Sequence, residues 1–305
     1  MSSSTKATSP FFAFIVPWFQ LIKGVLCIPI ALSAGFGYVL YTRSISGTLF
    51  LLILAMFLLA CGSAALNSLQ EIKTDRLYTR TNNRPLVTGA LSPGVVIPGI
   101  GCLFAASFSL LLTAATTPNA LLLGILGVFL YNGLYTPLKH QTSFSLLIGG
   151  LAGALPPVIG WCAAGGSITD YRIVAIATFF YLWQVPHFFL ILLVHKNDYI
   201  RVEHPNLAVV LSEKKLRWIT WVWVFAYASV GLTISSLPGF LTLLSRYCNG
   251  AIAVVAAVLL TFHLVLRPSP TNYNRLFQIL NISFFFNISL VAVLEIFSFP
   301  NALNQ

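Results

Sequence analysis

The sequence predicts an all-α polytopic membrane protein with nine spanning helices and a cytoplasmic N-terminus. Three observations predict it. Hydrophobic residues make up 57% of the 305, charged residues only 8%, and the mean hydropathy is +0.87. Soluble domains carry about 25% charged residues, so most of this surface must face lipid. Apolar runs recur at membrane-spanning length, and the few cations gather on one side of them.

A spanning helix needs about 20 apolar residues. Such runs lie at about 14–41, 46–67, 92–115, 119–136, 144–165, 171–194, 217–236, 239–265 and 276–298. The fourth is short, and Arg246 to Gly250 interrupt the eighth. An inside N-terminus places Lys6, Lys73, Arg76, Arg80, Arg84, Lys139, Lys196, Arg201, Lys214, Lys215, Arg217, Arg267 and Arg275 on the inner face. Only Arg43, Arg172 and Arg246 fall outside, and Lys23 lies within the first span. Cytoplasmic loops carry the Lys and Arg excess, and an even number of spans would scramble the segregation. The expected organisation is a polar tail over 1–10, one integral-membrane domain over 11–298 and a C-terminal tail over 299–305.

Composition also narrows the partners. A formal charge of +10 would suit nucleic acid, but the cations sit in short loops between apolar runs and so report topology. No nucleic-acid partner is expected. Cys27, Cys61, Cys102, Cys162 and Cys248 occur one per apolar stretch with no CxxC pair, and read as small core residues. The first apolar run shows no clear cleavage site, and no Arg-rich presequence precedes it. That favours a bacterial plasma membrane over a mitochondrial inner membrane.

Two inner loops hold more charge than connection requires. In the first, Asn67, Glu71 and Asp75 are spaced i, i+4, i+8, followed by Arg76, Arg80 and Arg84-Pro85. On a continuing helix this spacing turns three oxygen donors to one side. Such a set suits Mg²⁺, which takes one or two carboxylates and completes its shell with water and phosphate. The arginines suit bidentate phosphate contact, and Pro85 ends the helix. The same charges also read as a solvated helix end, with Glu71 and Asp75 paired to Lys73, Arg76 and Arg80. The residues alone leave both readings open.

The second loop follows Trp183-Gln184-Val185-Pro186-His187-Phe188 and contains His195-Lys196-Asn197-Asp198-Tyr199. His187 lies within an apolar span, where a polar side chain is a functional hypothesis by default. A buried His bonded to a neighbouring carbonyl is the alternative. Lys196 and Asp198 offer a second phosphate and metal contact, or an ordinary interfacial loop. A third inner loop, Tyr135-Thr136-Pro137-Leu138-Lys139, is a helix stop with one cation. Together the loops suggest an anionic diphosphate head bound through Mg²⁺ above an apolar cavity, as a prenyl diphosphate would require.

At these residues the chain resembles the UbiA superfamily of intramembrane prenyltransferases, and within it the protohaem IX farnesyltransferase (haem O synthase) branch. The match runs over Asn67, Glu71 and Asp75 into Arg80-Thr81-Asn82-Asn83-Arg84-Pro85, then Tyr135 to Lys139. It continues through Gly153-Ala154-Leu155-Pro156-Pro157-Val158-Ile159-Gly160-Trp161, then Gln184 to Phe188, then Asp198-Tyr199. The resemblance implies one bundle around a central cavity. It implies that Asn67, Glu71, Asp75 and Asp198 hold Mg²⁺, and that Arg76, Arg80, Arg84, Lys139 and Lys196 neutralise diphosphate. Tyr135, Tyr199 and His187 would contact substrate, His187 by ligating or orienting haem. The implied reaction joins farnesyl diphosphate to a vinyl group of haem b, the haem being substrate and not cofactor, with hand-off of haem O to a haem A synthase or a terminal oxidase. Phe179, Phe180, Tyr181 and Trp183 would shelter a farnesyl cation, or are plain packing. Lys73 departs from a position acidic in many bacterial members, and Glu203 from a usual Gly.

Two rivals stand beside this reading. One is a prenyltransferase of the same superfamily with a quinone-ring or other aromatic acceptor. The other is a transporter, which internal repeats and broken helices near the midplane would signal; no convincing repeat is seen.

Overall fold

The computed structural model describes residues 10–196 and 210–302, the side chains of 10–14, 270 and 299–302 excepted. Among the described residues there are nine helices long and apolar enough to cross a membrane. They are α2 (Gly24–Thr42), α3 (Gly47–Gln70), α6 (Pro93–Ala114), α7 with its extension (Asn119–Leu138), α9 (Ser145–Ala163), α10 (Tyr171–Val194), α11 (Glu213–Ser236), α12 with its last turn (Leu243–Leu266) and α13 (Tyr273–Ala302). Short helices α1 (Pro10–Ile22), α4 (Ile72–Asp75) and α5 (Pro85–Thr88) lie between or beside them, and α8 (Thr136–Leu138) is the last turn of the α7 span.

The first predicted span is corrected. The run over 14–41 does not form one helix, because Lys23 adopts a left-handed backbone (φ 50°) between α1 and α2. The 13 residues of α1 reach only about 20 Å, short of a hydrocarbon core of about 30 Å. Its Leu21 instead packs beside Ala65, Leu86, Leu91 and Val96 at the inner end of the bundle. The eighth span is corrected too. Arg246 to Gly250 do not interrupt α12, because Arg246 donates through Nε to the Ser235 carbonyl at 2.6 Å and Asn249 through Nδ2 to the Gly231 carbonyl at 2.7 Å. Polar side chains stay helical in lipid when a neighbouring helix receives them.

Glycine sets the closest helix contact. A Cβ on Gly37 of α2 would fall on the Pro157 carbonyl of α9, and one on Gly160 of α9 would fall on the Ala34 carbonyl of α2. Two backbones touch here because neither carries a side chain, the usual device of membrane helix interfaces. Outside the bundle, large apolar groups such as Phe50, Phe225, Phe286 and Phe297 stand exposed, as lipid contact requires.

At the outer end, Arg43 pairs with the fully buried Glu295 and donates through Nη2 to the Phe240 carbonyl at 2.5 Å. Asp170 caps α10 by accepting from the Arg172 amide at 2.9 Å, and the Arg172 guanidinium lowers its carboxyl pKa. The inner end carries the charged loops, and α2, α3, α7, α9, α10 and α13 enclose the space above them.

Candidate active site

The inner end of α3, the break after it and α4 supply the three oxygen donors. Asn67, Glu71 and Asp75 are all buried. The continuous helix expected there is broken, since α3 ends at Gln70 and Glu71 adopts φ −101°, ψ 8°. The register nevertheless carries on. The Glu71 amide donates to the Asn67 carbonyl at 3.1 Å and the Asp75 amide to the Glu71 carbonyl at 2.8 Å. The four-residue spacing thus survives the break, and the three side chains stay together.

The carboxylates do not pair as the solvated-end reading expected. Lys73, Arg76 and Arg80 are exposed. Arg84 donates from Nη1 to Asp75 Oδ2 at 2.5 Å and stands 3.7 Å from Glu71 Oε2. Lys139 pairs with Glu71 from the other side, with His140 Nε2 at 3.7 Å from Glu71 Oε1. The reason is chain path. The expected helix stop at Pro85 is corrected: α4 already ends at Asp75, and Thr81 then turns the loop back by donating to the Asp75 carbonyl at 2.9 Å. Arg84 is held extended before Pro85, which opens α5.

Lys139 owes its place to a π-helical stretch over Phe129–Tyr135 that no sequence pattern announced. Asn132 anchors it by donating to the Ser63 carbonyl at 3.0 Å, and Gln70 donates back to the Asn132 carbonyl at 3.0 Å. Asn67 donates to Thr136 Oγ at 3.1 Å, and Lys23 donates to Asn67 Oδ1 at 3.3 Å. π-Helical turns are rare and recur at functional sites.

Glu71, Asp75, Arg80, Arg84, Tyr135, Lys139 and His140 stand in the wall of a polar pocket of about 290 Å³. Behind it lies a chamber of about 480 Å³ whose wall is mainly apolar, bearing Lys23, Tyr131, Phe180, Trp183, Gln184 and His187. Phe188 lines both spaces, and its ring lies 6.1 Å from that of Tyr135. A wider groove of about 630 Å³ between α11 and α12 lies on the outer, lipid-facing side, away from these charges.

The predicted residues therefore divide. Glu71, Asp75, Arg80, Arg84, Lys139 and Tyr135 line the pocket, His187 lines the chamber, and Asn67 is bonded to Lys23 of the chamber wall. Arg76 is exposed and lines neither space, because the chain turns away from the pocket directly after Asp75. Lys196 lies 3.6 Å from Glu213 instead, at the end of α11. Asp198 and Tyr199 lie outside the described residues. His187 bonds through Nδ1 to the side chain of Asn281 at 2.8 Å, not to a backbone carbonyl. Of the four aromatics expected around a cation, only Phe180 and Trp183 line the chamber. Phe179 stacks on Tyr227 at 4.7 Å and Tyr181 packs on Trp223 at 6.2 Å.

Lys23, Tyr131, His140 and Asn281 escaped the sequence reading. His140 follows Lys139 and Asn281 is a polar residue inside a span, so both left a faint signal. Lys23 left a signal of the same kind, as a cation inside the first apolar run, but its partner depends on the backbone break that ends α1.

The donor chemistry fits a divalent ion. Asn67, Glu71 and Asp75 present hard oxygens, which is what Mg²⁺ takes. Among the described residues no three His, Cys, Asp or Glu side chains come together.

Residues 27–289 match the UbiA prenyltransferase family. A protoheme IX farnesyltransferase from Geobacter sulfurreducens is 41% identical over 189 residues, covering 62% of this chain and 67% of that protein. One from Oleidesulfovibrio alaskensis is 34% identical over 264 residues, covering 87% of this chain and 91% of its own. The fold is similar to that of a digeranylgeranylglyceryl phosphate synthase, with a TM-score of 0.74 at 14% identity, covering 93% of this chain and 99% of that one. It is also similar to a UbiA homologue from Archaeoglobus fulgidus bound to DMAPP and Mg²⁺, with a TM-score of 0.66 at 15% identity, covering 89% and 99%.

Proposed function

This chain belongs to the UbiA prenyltransferase family, and we propose that it transfers a farnesyl group from farnesyl diphosphate to a vinyl group of protohaem IX, giving haem O. One observation carries the reading. A pocket of paired carboxylates and cations adjoins, across Phe188 and Tyr135, an apolar chamber that holds a histidine. The first space suits a diphosphate head and the second a hydrocarbon tail and a porphyrin. The relatives' names favour haem over a quinone-ring acceptor, and family membership leaves the transporter reading without support.

Asn67, Glu71 and Asp75 are the residues that would hold Mg²⁺, with Asp198, outside the described residues, as a further candidate. When bound, the ion supplies Lewis-acid neutralisation of charge on diphosphate. Arg80, Arg84 and Lys139 stabilise the same charge as the allylic C–O bond breaks. Tyr131, Tyr135 and Phe188 place aromatic rings in the walls of the two spaces, where a farnesyl cation would be sheltered. The apolar wall keeps bulk water from quenching the cation before the vinyl group attacks. Water then adds to give the hydroxyethylfarnesyl chain.

The reading also places one integral domain over 11–298 in a bacterial plasma membrane, with haem O passed to a haem A synthase or terminal oxidase. Incubating purified protein with haem b, farnesyl diphosphate and Mg²⁺ tests the reaction. The expected mass spectrum shows haem increased by farnesyl plus hydroxyl, the second proton of the added water being released; unaltered haem sinks the reading.

A further inference from the structure

His187 and Asn281 are 94 residues apart and meet at the chamber wall, one on α10 and the other on α13. The Asn281 amide has a defined orientation, because its Nδ2 donates to the Phe277 carbonyl at 2.7 Å. Its Oδ1 therefore faces His187 Nδ1, at 2.8 Å. A carbonyl oxygen only accepts, so Nδ1 carries the proton. In a neutral imidazole the other nitrogen, Nε2, then holds the lone pair. Among the described residues Nε2 has no hydrogen-bonding partner. The rings of Trp183 and Phe277 flank the imidazole, each with its centroid 4.9 Å away.

We propose that Asn281 is a positioning residue that fixes His187 in its Nδ1-protonated tautomer and presents Nε2 to the chamber as an axial ligand for the acceptor's iron. The inference rests on the reading of that acceptor as haem. Iron-ligating histidines of haem proteins use one ring nitrogen on the metal. The other almost always donates to a carboxylate, a carbonyl or water, which fixes the ring and raises its basicity. Asn281 supplies such an acceptor from a facing helix. A neutral amide suits a chamber walled by aromatic rings, where an unpaired carboxylate would be costly to bury. Phe188, next in the chain, also lines the diphosphate pocket, so a porphyrin held at His187 lies beside the space where the prenyl donor ionises.

The test uses the full-length protein, titrated with haem b and examined by absorption and by resonance Raman spectroscopy of the ferrous form. Wild type is expected to show an iron–histidine stretch. His187→Gly loses that band, and added imidazole restores it. Asn281→Ala weakens haem binding about 10–100-fold and lowers the stretching frequency, whereas Asn281→Asp, nearly the same shape but anionic, raises it. A packing role for Asn281 would leave the frequency unmoved. Farnesyl diphosphate affinity reports folding, and if Asn281→Ala loses it, Asn281→Asp alone decides. An iron–histidine band unchanged in Asn281→Asp, or retained in His187→Gly, overturns the proposal. Haem ligated through His187 without haem O formation would sink the reaction and leave this inference standing. Turnover of haem b with a spectrum indifferent to both residues would do the reverse.

Discussion

Arg84 closes the loop after α4 onto Asp75, Nη1 to Oδ2 at 2.5 Å, and its guanidinium also stands 3.7 Å from Glu71 Oε2. One cation thus serves two carboxylates that are themselves buried one helical turn apart. Their mutual repulsion is offset by Arg84 on one side and Lys139 on the other. Both cations are themselves partly exposed, on the wall of the polar pocket. In the proposed reaction each would exchange a carboxylate partner for a phosphate, which would free carboxylate oxygen for a metal ion.

Asp75→Ala is expected to abolish turnover while the protein still inserts, with a loss of at least about 10²–10³-fold in kcat, the scale of removing one preorganised transition-state contact. Chelating divalent ions from the wild type should give the same loss, reversed by added Mg²⁺. Steady-state assays with farnesyl diphosphate check both. Full activity in the variant refutes the metal assignment.

Lys139→Met removes one of the cations facing the pocket and leaves the Glu71 carboxylate with Arg84 and the His140 imidazole, each 3.7 Å away. Both a raised KM for farnesyl diphosphate and a lowered kcat are expected, because the charge is met in the ground state and grows in the transition state. A change in KM alone would assign Lys139 to binding only.

Gly37→Ala should destabilise the bundle without touching the pocket, because the new Cβ meets the rigid Pro157 carbonyl. Overpacking of this kind costs about 1–3 kcal/mol, and a backbone neighbour yields less readily than a side chain. Thermal unfolding in detergent measures the shift, and an unchanged midpoint would argue against the close α2–α9 contact.

Glu295→Ala tests the outer end. Arg43 loses its partner, and the Thr242 amide, which donates to Glu295 at 2.8 Å, is orphaned. Removing one member of a buried pair costs about 3–5 kcal/mol. Stability should fall by that order, while the folded fraction keeps its KM for farnesyl diphosphate. A raised KM would connect the two ends of the bundle in a way the geometry does not.

Nine spans and the acidic triplet were legible in the sequence because each depends on neighbours along the chain. Length and hydropathy decide whether a segment can cross lipid, and a four-residue spacing keeps three donors together even where α3 breaks at Glu71. The sequence by itself therefore determined the membrane architecture, the family and the oxygen donors of the pocket. Only the tertiary structure decided which cations those donors meet. Arg84 and Lys139 reach them by a loop reversal and a π-helical stretch, while Arg76, adjacent to Asp75 in the chain, turns away. It alone placed Lys23 beside Asn67 and Asn281 behind His187. The physical reason is range: periodicity and composition act over one or two helical turns, whereas an ion pair or a tautomer depends on which helix packs opposite.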